Sequence, residues 1–416
     1  MLYRKADVVS SAPGRADFLN THQDYKGLPV VPVAIDLRTY LYARMTKDGY
    51  VRVTSLDLAG RGRDFREAFP AGGQPVLRRR RHFGNYFRAV ARVLFKEKHI
   101  EQLPSIDVTV KSEIPVAAGL ASSAALEVSF VKLLDHLLGL GLSQGEIAEL
   151  SFLGENREMG TGCGRLDQYG SSFGGVIELD CRPPFKVRKI SGRGMILVIL
   201  DSGIKHSTAR IHPVRQHQID QGLRDLMKSP KVSSTLKEKL GFRYDEPRWA
   251  EITLAEIEQY LPLTNTASRK RILFTIRMQQ STMLALNILN QGQIDPIGLS
   301  FLQPEKLDRI WNSPERERVL RAIGEIMNYQ HELLRDLYDL SLPRLESIRD
   351  AALQAGAYGA KISGAGLGGS LVALTDSIRL GREVIEAGLS GGANRGWVSN
   401  VAPGTRIEKT LSQTTH

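Results

Sequence analysis

Four short segments of this 416-residue chain set charged and hydroxyl side chains among glycines and alanines. The first, Pro115 to Glu127 (PVAAGLASSAALE), runs a small-residue loop straight into a helix whose apolar positions Leu126, Phe130, Leu133, Leu134 and Leu137 recur at helical spacing. The first turn of a helix leaves N–H groups without intrahelical partners, and the peptide dipoles add partial positive charge there, so such a junction receives phosphate. Gly119 takes backbone angles that a side chain would forbid, Ala117, Ala118 and Ala121 keep the approach clear, and Ser122 and Ser123 supply hydroxyls as caps or metal ligands, in a loop that also holds Leu120 and Ala124. An ordinary capped helix after a loose loop gives the same pattern, and only context separates the two.

The second segment, Ser11 to Gly27 (SAPGRADFLNTHQDYKG), places Arg15, His22 and Asp24 among turn formers. A cation, an imidazole and a carboxylate on one loop make a pocket for hydroxyl groups, unless Asp24 caps a turn and Arg15 pairs on the surface. In the third, Leu153 to Gly175, Glu155 and Asp167 stand twelve residues apart across a glycine-rich turn, so no single helix face presents both. Meeting across a cleft, one would hold Mg²⁺ and the other an attacking hydroxyl. Two arbitrary acids are more often merely solvated, but the intervening glycines, Gly164 among them, argue for a tight backbone path. The fourth, Lys361 to Leu374 (KISGAGLGGSLVAL), breaks two apolar strands with Gly364, Gly366, Gly368 and Gly369. Its GxGxxG spacing lacks the βαβ unit and following acid of a dinucleotide site, which leaves a glycine turn over a phosphate or a tight hairpin.

The elements that must position these segments divide near residue 190. Residues 6–60 alternate short β-type runs with turns: Val8 to Ser11, Leu28 to Ile35, Thr39 to Met45 and Tyr50 to Ser55. A helix over Gly84 to Lys96, a strand over Ile106 to Lys111, a helix opened by Ser143 with Glu146 as its capping-box partner, and a strand over Gly174 to Asp180 follow. Beyond 190 come a buried strand at Met195 to Asp201, a polar helical stretch over 214–290, and a long helix over Ser313 to Leu340, with Ser313 as cap and Pro314 at its first position. A shorter helix over Leu342 to Gly356 and the strand, glycine turn and strand of Gly359 to Thr375 complete the reading.

At this length two domains sharing a cleft are expected, 1–190 and 191–416, the second with a helical insertion at about 214–290. The 42% hydrophobic and 24% charged residues are those of a globular chain, and the longest aliphatic run, Met195 to Leu200, is far too short to span a membrane. No signal-peptide core opens the chain, and Cys163 and Cys181 form neither a disulfide framework nor a zinc pattern, so a cytoplasmic setting is expected. The net charge of +11 suits a nucleotide triphosphate ligand. The densest basic run, Arg78 to Arg81, has no interleaved aromatics or recognition helix, and a solvated loop is favoured over nucleic acid.

Taken together and in this order, the four segments resemble the GHMP kinases, and within them the galactokinase branch. That branch usually opens APGRVNLIGEHTDYNGG, here APGRADFLNTHQDYKGL. Its PxxxGLSSSASLE is PVAAGLASSAALE, its GxMDQ is GRLDQ, and its GGGFGG is GAGLGG. The resemblance implies an α/β (α+β) chain: an N-terminal domain of ribosomal S5 domain 2-like topology, a ferredoxin-like C-terminal domain, and ATP between them. It implies that Gly119 to Ala124 wrap the ATP phosphates with Gly364 and Gly366 in support, that Ser123 and Glu155 hold Mg²⁺, and that Asp167 faces a sugar's anomeric hydroxyl beside Arg15. Thr21, His22, Asp24, Gly164 and His212 would line the sugar site.

Two departures from the pattern bear on the acceptor. Thr21 stands where galactokinases carry a glutamate for the hydroxyl on the sugar's sixth carbon, and Asp17 replaces their usual asparagine. A site built around a substrate hydroxyl discriminates through it, so the acceptor is open among galactose, a uronic acid and a pentose. The expected partners are ATP and a small-molecule sugar, with no nucleic acid and no membrane, in a monomer or homodimer. A catalytically silent sugar sensor and a kinase for a non-sugar alcohol are the other readings. The intact Ser122, Ser123, Glu155 and Asp167 favour an enzyme.

Overall fold

The computed structural model describes residues 5–410 apart from 61, 63, 80, 81, 117 and 206–210. Ala117, Arg80, Arg81 and the start of the HSTARIHPVR segment therefore lie outside the described residues.

The first strand, β1 (Val8–Leu19), is buried at every position, which explains why its apolar and polar residues do not alternate cleanly. It pairs antiparallel with β2 (Val31–Met45), and the register slips between Pro13 and Arg15 and again between Asp17 and Leu19. Each slip bends the strand and re-aims its side chains, here at Arg15 and Asp17. The sequence suggests two strands within 28–45, but they form one. Asp36 N bonds Ser399 Oγ at 2.9 Å, and the Arg38 guanidinium bonds the carbonyls of Pro403 and Gly404, so the polar residues between the runs stay extended.

With β3 (Tyr50–Ser55), β4 (Arg66–Pro70) and β5 (Ile106–Ser112) the first sheet runs β12-β1-β2-β5-β3-β4, and β6 (Val176–Leu179) branches from β2 to β7 (Val187–Ile190). Among the described strands only β3 and β5 are parallel. The last strand, β12 (Arg406–Thr410), returns from the far end of the chain to pair with β1. Four helices cover this sheet: α1 (Gly84–Glu97), α2 (Ser122–Leu138), α3 (Gln144–Leu153) and α4 (Leu166–Phe173). The expected capping box at Ser143 and Glu146 opens α3.

The second sheet contains β8 (Ile196–Asp201), β9 (Gly359–Ser363), β10 (Ser370–Thr375) and β11 (Arg395–Asn400), all antiparallel in the order β11-β8-β10-β9. Counted along the chain that order is fourth, first, third, second, the split βαβ arrangement of a ferredoxin-like unit. Leu197 and Ile199 pack into the large core that runs from the first sheet on to residues such as Ile323, Met327 and Val372, Val198 and Leu200 into a second core, so the apolar run of β8 is buried on both faces. Between β8 and β9 lie α5 (Ile211–Lys228), α6 (Thr266–Gln291), α7 (Pro304–Trp311), α8 (Glu315–Asp336) and α9 (Pro343–Gln354), and α10 (Ile378–Ser390) precedes β11. The long helix begins after Pro314 rather than at it. Ser313 does not cap it, because its hydroxyl bonds the Arg309 carbonyl at 2.6 Å and closes α7 instead. No described helix is long and apolar enough to cross a membrane.

Helix α8 fixes β9, the edge strand that carries the fourth segment. Asn328 Oδ1 accepts from Ala360 N at 3.0 Å, satisfying an edge N–H. The helix comes this close only because residue 324 is glycine: a Cβ there would lie 2.3 Å from the Tyr358 carbonyl oxygen. Since the obstruction is backbone, Gly324→Ala is expected to lower stability by about 1 to 3 kcal/mol, the usual cost of overpacking. Chemical denaturation measures it, and an unchanged midpoint would show that the helix and strand are not in rigid contact.

Candidate active site

The phosphate loop and its helix have the geometry that their composition asks for. Gly119 has φ 74° and Ala121 φ 58°, both left-handed, and α2 starts at Ser122 with Ala121 in the N-cap position, where it offers no side-chain cap. Ser122 is thus the first helical residue, and the exposed N–H groups of the first turn have no hydroxyl cap at that position. The carbonyls of Ala118, Gly119 and Leu120 bond Ser370 Oγ (2.8 Å), Arg15 Nη1 (2.6 Å) and Arg15 N (3.2 Å), which turns the loop's acceptors into the protein. An anion is repelled by carbonyl oxygens and attracted by N–H groups, so this orientation favours phosphate.

The guanidinium of Arg15 joins this loop to the third segment. While Nη1 holds Gly119, Nε and Nη2 both donate to Asp167 Oδ1, at 3.0 and 2.5 Å. The Arg15 side chain is 7% exposed and that of Asp167 31%, so the carboxylate faces the open side while its partner is walled in. Such charge-assisted bonds are the stronger kind.

Glu155 sits on a widened, π-helical turn, Gly154–Glu158, that follows α3. Its carboxylate accepts from Gln168 Nε2 at 2.8 Å and meets the Ser123 hydroxyl, which also touches the Tyr86 hydroxyl. Burial, with the charge of Asp167, pushes Glu155 up to about 7. Glu127, one helical turn below Ser123, is buried against Glu155, and burial together with that neighbour holds its carboxyl well above the usual range. The Oε1 of Glu127 has no partner. Neither Tyr86 nor Glu127 stood out in the sequence, although the spacing of four from Ser123 to Glu127 was the available signal.

Asp24, on a short 3₁₀ turn after β1, faces the same space. A Cβ at Gly164 would lie 2.0 Å from Asp24 Oδ2, so glycine there lets the acidic segment reach Asp24. Burial first and the charge of Asp167 next raise the Asp24 carboxyl. His22, left-handed at φ 64°, has Nε2 3.3 Å from the Ala365 carbonyl oxygen and its ring 5.1 Å from that of His212. Burial and His212 push His22 well below its usual range, so it is a neutral imidazole with one donor and one acceptor. Tyr25 packs edge-on against His212 at 5.3 Å and shares a 2.8 Å hydrogen bond with Tyr338.

Thr21 requires a correction. It is 1% exposed, its hydroxyl accepts from Lys361 Nζ at 2.7 Å and bonds the Asp17 carboxylate, and it is therefore not offered to a ligand. Two buried charged neighbours outcompete a substrate for a short hydroxyl. The other residues come together: Arg15, Gly119, Ser123, Glu155 and Asp167 at the phosphate loop, and His22, Asp24, Gly164 and His212 beside them. Gly364 packs on this loop, with the Gly119 carbonyl oxygen 3.5 Å from where its Cβ would be, and Gly366 lies against Leu340. Of the described part of the basic run, Arg78 pairs with the buried Glu67 at 3.0 Å and the exposed Arg79 with Asp64 at 3.3 Å.

Comparison with known proteins agrees along the chain. Residues 85–175 match the GHMP kinases N terminal domain, residues 315–391 the GHMP kinases C terminal domain, and residues 2–45 the galactokinase galactose-binding signature. A galactokinase of Chloroflexus aggregans is 29% identical over 405 residues, 93% of this chain and 88% of that protein. The Bos taurus galactokinase is 27% identical over 378 residues, 89% of this chain and 84% of its own length. A crystal structure of Lactococcus lactis galactokinase complexed with galactose superposes with a TM-score of 0.74 at 23% identity, covering 96% of this chain and 94% of the other. The chain belongs to the GHMP kinases, in their galactokinase-like branch.

Proposed function

We propose that this protein is an ATP-dependent sugar kinase that transfers the γ-phosphoryl group to the anomeric hydroxyl of a monosaccharide, galactose or a related uronic acid or pentose. The observation that carries the reading is the double grip of Arg15, which bonds the phosphate-loop carbonyl of Gly119 and the Asp167 carboxylate with one buried guanidinium. Donor loop and acceptor carboxylate are held within one side chain of each other. Residues 1–190 supply the loop, Arg15 and both acids. Residues 191–416 supply the glycine turn and His212, apart from β12, which crosses back.

The chemistry follows from where charge develops. The sugar oxygen attacks the γ-phosphorus, the bond from that phosphorus to the β,γ-bridging oxygen breaks, and ADP leaves. The hydroxyl proton goes to Asp167. Charge spreads over the equatorial oxygens in the transition state, where Arg15 and the loop N–H groups stabilise it. Asp167 orients the hydroxyl, and His22, Asp24 and His212 supply donors and acceptors for the remaining hydroxyls.

Mg²⁺ fits beside the loop. Two carboxylates, Glu155 and Glu127, lie together there with the Ser123 hydroxyl, and Glu127 Oε1 has no partner. Hard oxygen donors of this kind suit a hard cation, with Ser123 and Glu155 as the residues that would hold it. When bound, the ion offsets the negative charge of the β- and γ-phosphates.

Asp167→Asn is expected to lower turnover by about 10² to 10⁴-fold while ATP still binds, measured by ADP release and by nucleotide titration. Near-normal turnover would remove Asp167 from the mechanism. Chelation of divalent ions should stop the reaction and added Mg²⁺ restore it. Glu155→Gln should raise the half-saturating Mg²⁺ concentration by about tenfold or more, the worth of one bond to a charged group. ATP consumption across galactose, N-acetylgalactosamine, galacturonate, glucuronate and arabinose tests the acceptor class, and the absence of stimulation by every sugar would overturn the reading.

A further inference from the structure

One buried cation has no part in this mechanism. Lys361 of β9 is fully buried, and its Nζ donates to the carbonyls of Asp17 (2.9 Å) and Ile362 (3.1 Å) and to Thr21 Oγ1 (2.7 Å). An ammonium has three donors and no acceptor, so the group is fully committed. The Thr21 hydroxyl, having accepted from Lys361, bonds the Asp17 carboxylate in turn, and one hydroxyl thus bridges a buried cation and a buried anion.

Further contacts continue along the same strand and turn. Ser363 Oγ accepts from Asp17 N at 2.9 Å, and the Ala365 carbonyl meets His22 Nε2. Lys361, Ser363 and Ala365, at alternate positions, therefore hold Asp17, Thr21 and His22. This stretch also touches the phosphate loop, since the Ser363 carbonyl oxygen is 3.2 Å from where a Cβ of Gly119 would lie.

We propose that Lys361 is a positioning residue that ties the acceptor loop to the donor loop, its bonds to Asp17 and Thr21 holding His22 and Asp24 in place opposite Asp167. This rests on the sugar-kinase reading. Burial pushes Asp17 up to about 6 against the opposing pull of Lys361 and Arg15, with Asp24 adding to the rise, and it pushes Lys361 down to about 8 against the pull of Asp17. Lys361 is also felt by His22. Both shifts disfavour the charged forms, so the pair costs stability. Apolar residues of similar volume would hold two elements together more cheaply, which points to geometry rather than stability as the role of these charges.

Four full-length variants test this: Lys361→Met, the milder Thr21→Val, Asp17→Asn, and the double Asp17→Asn/Thr21→Asp, which moves the carboxylate directly onto Lys361. Amide hydrogen exchange without ligand should quicken in residues 17–26 of Lys361→Met and Thr21→Val, with the rest of the chain unchanged. With D-galactose, D-galacturonate and L-arabinose as probe acceptors, the acceptor KM should rise about tenfold or more while kcat and the KM for ATP stay within about threefold, and the double variant should recover most of what Asp17→Asn loses. Unchanged exchange in 17–26 of both Lys361→Met and Thr21→Val overturns the proposal, as does a joint rise of both KM values with loss of protection throughout the chain. Quickened exchange in a protein whose wild type turns over none of the sugars sinks the sugar-kinase reading and leaves the joint standing.

Discussion

The structure turns on one buried guanidinium. Arg15 lies on the first strand, at a register slip, with its side chain walled in by the sheet and the phosphate loop. A guanidinium has five donors in a rigid fork and cannot shed its charge, so wherever it is buried it must be met by acceptors in fixed directions. Here those acceptors are the Gly119 carbonyl and Asp167 Oδ1. The demand for acceptors places the loop, and α4 with Asp167 at its start, on the same side of the sheet.

Around that cation the chain gathers carboxylates that would repel one another in isolation. Asp17, Asp24 and Glu155 are each pushed upward first by burial, and Asp24 and Glu155 next by Asp167. Such a cluster is expensive without cations, and Arg15 and Lys361 beside Asp17 and the buried Lys26 beside Asp24 are cations the protein itself supplies. The proposed ligand, a polyphosphate with its metal ion, would add both signs of charge to this cluster.

Much of the fold was legible because its signals are local. The alternation of β3, the periodicity of α1 and α2, the Ser143 capping box and the glycine-broken hairpin of β9 and β10 all depend on neighbours within a few residues. One error arose where distant residues intervened, the other where a nearer acceptor won a hydroxyl. Asp36 and Arg38 read as a break between strands, yet contacts with residues 399–404 keep β2 continuous. Ser313 read as a helix cap, yet the carbonyl of Arg309 takes its hydroxyl. The return of β12 to β1 joins residues 400 positions apart, and no local pattern encodes that pairing.

The site divides in the same way. By itself the sequence determined that a small-residue loop opens a helix, that Arg15, His22 and Asp24 fall within one short segment, and that Glu155 and Asp167 flank a glycine-rich path, because residue type and spacing fix these properties. Only the tertiary structure decided which of these polar groups are free to meet a ligand. It turned Asp167 toward the open side and Thr21 inward to Lys361, 340 residues away in the chain. The physical reason is that a hydrogen bond is claimed by whichever partner the fold brings within about 3 Å, and a buried charge leaves little choice to its neighbours.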